Sequence, residues 1–102
     1  MVMHYMGPRG LCTILNVDYQ NRTLTIENHT NQMIYRAFGI IENPTWEDYQ
    51  RFLRDRCVPE TRHHLDWYLK AVGVDAYDPL TIIRKTQGRM AEDHQWIEII
   101  EE

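Results

Sequence analysis

This chain of 102 residues lacks the patterns that most directly announce chemistry. It has no G-x4-G-K-[ST] phosphate loop, no G-x-G-x-x-G dinucleotide turn and no G-x-S-x-G nucleophile elbow. Its five histidines and two cysteines show no C-x2-C, H-x3-H or H-E-x-x-H spacing, so neither a metal nor another cofactor is expected. Its apolar runs are far too short to cross a bilayer, and the mean hydropathy is -0.55. Met1-Val2-Met3-His4-Tyr5-Met6 carries neither the basic stretch nor the long apolar stretch of a secretory signal. These two absences point to the cytoplasm and away from a membrane. In that setting Cys12 and Cys57 are expected as reduced thiols, with Cys12 packing as a small hydrophobe. No repeat, low-complexity tract or linker divides the chain. One domain, 1–102, is expected, large enough for a compact core but not for a deep catalytic cleft.

Charge excludes less. Eleven Lys and Arg against 15 Asp and Glu give a net charge of -4, which counts against a dedicated nucleic-acid binder. The distribution is uneven. Arg51, Arg54, Arg56 and Arg62 cluster near the middle, while Glu98, Glu101 and Glu102 load the far end. Solvated faces of small domains look like this by default. Glu47-Asp48 and Glu92-Asp93 are read as capping and surface charge rather than as catalytic acid–base pairs.

What the chain does contain is hydrophobic period. After the turn Gly7-Pro8-Arg9-Gly10, the stretch 11–17 reads as a strand. Leu11, Leu15 and Val17 fall on one face, and Cys12 and Ile14 on the other, the pattern of a strand covered on both sides. Residues 22–27 alternate as a half-buried strand and close a hairpin across Asp18-Tyr19-Gln20-Asn21. Residues 33–38 give a weaker third strand.

Helical period takes over at Thr45, which is placed to cap the amide of Asp48. Trp46, Tyr49, Phe52 and Leu53 form one apolar stripe. That helix must stop before Pro59, which suits the first turn of the next, over 60–72. There Thr61, Leu65, Tyr68, Leu69 and Val72 share a face, and Gly73 supplies the stop. Asp78-Pro79 opens a third helix with Leu80, Ile82 and Ile83 inside and Gly88 at its end. Residues 95–100 form the last strand. The expected fold is α+β: a short antiparallel hairpin sheet, three packed helices and a C-terminal strand returning to the sheet or to the helices.

Two segments stand out. Arg56-Cys57-Val58-Pro59-Glu60-Thr61-Arg62 reads R-x-x-P-x-x-R, and Gly88-Arg89-Met90-Ala91-Glu92-Asp93-His94-Gln95-Trp96-Ile97 reads G-x4-D-x-x-W-I. A desolvated arginine needs a carboxylate, so Arg56 or Arg62 is expected to pair with Asp93 and tie the Pro59 corner to the turn before Trp96. Trp67 lies opposite the Leu65/Leu69/Val72 stripe, on the side shared with His63 and Lys70. It is read as covered by a loop or by the N-terminal segment, the alternative being an exposed anchor for a partner.

From about Trp46 to Ile97 this text resembles a short domain that precedes the kinase lobes in Firmicutes proteins related to HipA toxin kinases. The shared positions are Arg56, Val58, Pro59, Arg62, Leu69, Gly73, Val74, Gly88, Asp93, Trp96 and Ile97, over half the chain. The family's Gly-Leu-Ser-Leu-Ser turn is replaced here by Gly88-Arg89-Met90-Ala91-Glu92. No phosphate loop or catalytic Asp and Asn is present, so kinase activity is not implied. The resemblance implies a detached regulatory module. Some HipA-like systems carry a separate small protein of this kind as the antitoxin. The expected function is therefore a non-catalytic protein-binding module, antitoxin-like or a mobile-element inhibitor of a host defence enzyme such as an anti-CRISPR. Its candidate contact residues are His63, Trp67, Lys70, Arg51 and Arg54. The alternative is a nucleic-acid-binding regulator using Arg51, Arg54, Arg56, Arg84, Lys85 and Arg89.

Overall fold

A computed structural model describes residues 1–101 and places four strands and three helices in one α+β unit. The strands are β1 (Val2–Gly7), β2 (Gly10–Asp18), β3 (Thr23–Asn28) and β4 (Trp96–Glu101), in the order β3-β2-β1-β4. Every neighbour is antiparallel, and the last strand joins the sheet beside β1.

β1 corrects the expectation that regular structure begins after Gly7. Its inward residues, Met3 and Tyr5, are buried, yet Val2 and Met6 on its outer side are also apolar. The alternation that marks a half-buried strand is thereby blurred.

The facing of β2 also differs from expectation. The pairing shifts between Tyr5 and Met6, leaving Cys12 as an extra residue in β2. That bulge turns Cys12 toward the core alongside Thr13, Leu15 and Val17, while Leu11 goes to the outer side. Helices cover one face of the sheet, where Phe52 meets Tyr5 edge-on at 5.1 Å and Tyr49 approaches the Met3 sulfur. Val2, His4, Met6, Ile14, Trp96 and Glu98 on the other face stay half-buried. Coverage of β2 on both sides is therefore not what the chain builds.

No strand forms over 33–38. Met33–Tyr35 is a 3-10 turn, closed by the Tyr35 amide on the Gln32 carbonyl (3.0 Å) and the Arg36 amide on that of Met33 (3.1 Å). β3 already holds that edge of the sheet, and the apolar Met33 and Ile34 face solvent. The loop is fastened further on, where Thr13 Oγ1 accepts from the Ala37 amide at 3.1 Å.

Helix α1 spans Trp46–Asp55 and starts in a full capping box. The Thr45 hydroxyl accepts from the Asp48 amide (3.2 Å), and the Asp48 carboxylate accepts from the Thr45 amide (2.8 Å). Tyr49, Phe52 and Leu53 bury its inner face. Helix α3 spans Pro79–Thr86, capped by Asp78, with Ile82 and Ile83 wholly buried. It ends one residue sooner than expected, at Gln87 in a left-handed conformation. α1 and α2 both pack against α3.

Helix α2 is the largest departure. It spans only Leu65–Val72. After Pro59 the chain makes a turn, with the Arg62 amide on the Pro59 carbonyl at 3.0 Å, and His64 sits at φ 56. A left-handed residue cannot continue a right-handed helix, so propagation starts only at Leu65. Thr61 is consequently exposed and outside the helix, and Leu65, Tyr68, Leu69 and Val72 are half-buried rather than core. No described helix is long and apolar enough to cross a membrane.

Candidate functional site

The two standout segments meet in space, and they meet as structure. Arg56 follows the last turn of α1 and is 7% exposed. Its Nε donates to the Gly88 carbonyl (2.9 Å), and its Nη2 to the Gln95 carbonyl (2.7 Å). Nη1 and Nη2 clasp Asp93 Oδ2 and Oδ1 at 2.8 and 3.2 Å. All the guanidinium's edges are thus used, as a buried fork requires. The hydrogen bond from Arg56 holds the Asp93 carboxyl below its ordinary range. Gly88 lies so close that a Cβ there would stand 3.2 Å from Arg56 Cβ.

Arg62 takes no part in this clasp. It is exposed and lies over the Tyr68 ring at 4.8 Å. Pro59 is exposed and shapes the corner, where Tyr77 donates its hydroxyl to the Val58 carbonyl at 2.8 Å. Trp96 is half-buried, with Arg89 over its ring at 4.6 Å and its Nε1 donating to Glu98 at 3.2 Å.

The other candidates lie elsewhere. Trp67 is 63% exposed, which overturns the expectation of a covered ring. The reason is local: α2 is short, and its stripe turns Tyr68, Leu69 and Val72 toward the core while Trp67 looks outward. His64 lies flat on it, with centroids 3.8 Å apart and planes 3° from parallel. His63 abuts His64 at 3.8 Å, tilted by 56°. The two histidines therefore adjoin in a turn before α2 instead of diverging on a helix. Lys70, three residues after Trp67, is exposed in the last turn. Arg51 and Arg54 are exposed on α1, where Arg51 approaches Asp48 at 3.6 Å. They belong to a different element from the Trp67 surface.

Two features were not anticipated. Tyr19, Trp46 and Tyr49 form an aromatic cluster, with Tyr19 and Tyr49 hydroxyls 2.6 Å apart. Tyr19 falls in the polar turn Asp18-Tyr19-Gln20-Asn21, and nothing in its spacing ties it to α1. Burial pushes the Tyr49 phenol well up. Ile34 and Ile40 are 82% and 74% exposed in the loop before α1. Among the described residues, no group of three or more His, Cys, Asp or Glu side chains converges as metal ligands would. Burial raises the Cys57 thiol to about 11, and the sulfur lies 3.5 Å from the Pro79 carbonyl.

No protein-family model matches this chain, and no curated protein or solved structure shows significant similarity to it.

Proposed function

We propose that this protein is a small non-catalytic binding module that regulates or inhibits a larger protein, and that it engages its partner through the surface around Trp67. The observation that carries the reading is the exposed Trp67 ring with His64 stacked flat upon it. A large aromatic held in one orientation loses little conformational freedom on binding, and tryptophan dominates the energetic centres of interfaces. His63 abuts His64, and Lys70 is exposed in the last turn of α2, polar groups of the kind found at an interface rim.

Three side chains with shifted titration support a non-catalytic role, because each is engaged within the fold. Asp93 is spent on Arg56, Tyr49 on Tyr19, and Cys57 lies against α3. The resemblance to the domain that precedes HipA-like kinase lobes favours a kinase-like or other enzyme target. An antitoxin and a mobile-element inhibitor of a defence enzyme such as an anti-CRISPR are the two forms this takes. Cytoplasmic residence belongs to the same proposal.

The alternative, a nucleic-acid-binding regulator, has exposed Arg51, Arg54 and Lys85 in its favour. It loses Arg56 to the interior, and Arg89 is engaged on Trp96. The net charge of -4 opposes it further.

The experiment is affinity capture of the tagged protein from its native cell, identification of what co-purifies, and reconstitution with the purified partner. A stoichiometric complex that survives nuclease treatment supports the module reading. Salt-sensitive retention of duplex DNA by the protein alone supports the alternative.

A further inference from the structure

β4 is an edge strand, with a strand neighbour, β1, on one side only. The Ile97 amide does not face β1; it donates to the Gln87 carbonyl at 2.7 Å, beyond the sheet. In an antiparallel ladder alternate residues face alternate sides. Ile99, paired in register with Met3 as Ile97 is with Tyr5, therefore directs its N–H and C=O away from β1 as well. So does the Ile97 carbonyl. These three groups open into a groove lined by Ile83, Arg84 and Gln87 of the α3 end and by the strand itself. Ile100, at the irregularity in the β1–β4 pairing, is 52% exposed. The strand has no lysine or proline, and its charged residues are the acidic Glu98 and Glu101.

We propose that the β4 edge is a strand-addition site for an extended segment of another protein, with apolar and basic residues in alternation. Charge and facing define the occupant. Ile97 and Ile99 point toward the helices, so every second side chain of an added strand would lie against Ile83, Ile97 and Ile99 in a groove that Arg84 and Gln87 also line. Glu98 and Glu101 pair with His4 and Val2 on the outer face, so the intervening side chains would lie beside two carboxylates. Lysine or arginine fits there, and opposite charges across strands attract while like charges repel. A second copy fits poorly. Laid antiparallel along β4, it would set Glu98 and Glu101 of both chains on the same face. Gln87 closes the Ile97 end, so the main-chain pairing is short and side-chain charge must contribute much of the selectivity. This surface is independent of the Trp67 reading, since β4 and α2 are separate elements.

The test titrates the isotopically labelled protein with three synthetic peptides: KVKVKVK, EVEVEVE, and KVKVKVK methylated at alternate backbone nitrogens. Amide shifts are followed at Ile97 to Glu101 and at Trp67. The expected result is saturable shifts confined to β4 and the α3 end with the first peptide, and about tenfold weaker binding for each of the other two. Glu98→Lys combined with Glu101→Lys, which leaves the core untouched, should reverse the preference between the charged peptides. Ile99→Pro, which deletes one donor, should weaken binding if it folds. Equal affinity for the two charged peptides, indifference to methylation, or no shift along β4 would overturn the proposal. So would sedimentation showing that the free protein dimerises through β4, because a second copy would then be the occupant. Loss of shifts in Trp67→Ala alone would move the site to α2.

Discussion

Arg56 and Asp93, thirty-seven residues apart, meet through two hydrogen bonds of 2.8 and 3.2 Å while the arginine also holds the carbonyls of Gly88 and Gln95. Asp93→Ala leaves a buried guanidinium without its counter-charge. Two carbonyl bonds remain, and the carboxylate itself is partly exposed, so the loss should be about 1–3 kcal/mol. Urea denaturation at pH 7 measures it.

The same pair sets an acid limb. Arg56 holds the Asp93 carboxyl below its ordinary 3.8, so the unfolded chain takes that proton more readily than the folded one. The stabilisation is fully present well above pH 3.8 and is lost as pH falls through 3.8 toward the lower folded value. Asp18 and Asp48 shift in the same direction through local hydrogen bonds. Asp93→Asn should therefore be less stable than wild type at pH 7, with the gap narrowing toward pH 3 in a denaturation series.

At Gly88 two costs coincide, a φ of 63 and a crowded site with Arg56 Cβ at 3.2 Å and Ile97 Cδ1 at 3.3 Å. Gly73 has a φ of 84 but open space. Gly88→Ala should cost about 1–2 kcal/mol more than Gly73→Ala, because only the first adds crowding to backbone strain. Equal losses in thermal unfolding would show that packing at Gly88 is slack.

Cys12 and Cys57 are buried, and burial raises both thiols, Cys57 to about 11. Iodoacetamide at pH 8 should label neither in the native protein and both in denaturant, as read by intact mass. The Cys57 contribution to stability is intact below pH 9 and fades as pH rises toward 11.

Much of this was legible in the sequence where one local signal sufficed. Thr45 and Asp48 form their capping box whatever surrounds them, and Asp78-Pro79 opens α3 as written. The β2–β3 hairpin was readable from its turn and alternation. β1 was not, since Val2, Met3, Tyr5 and Met6 put apolar groups on both sides. The α2 start is not legible in the sequence, because the periodicity of Thr61, Leu65 and Leu69 does not register one left-handed residue, His64. That residue also shapes the candidate site: in the turn it makes, the His64 ring lies flat on Trp67 and His63 abuts His64.

The most direct test of the central claim is the affinity of Trp67→Ala for the captured partner, set beside its thermal unfolding midpoint. Trp67 is mostly solvent-exposed, so the variant should stay folded with nearly the wild-type midpoint. Binding should weaken by about 2 kcal/mol or more, roughly thirtyfold in Kd. A folded variant that binds as tightly as wild type would contradict the claim, and so would a variant that unfolds.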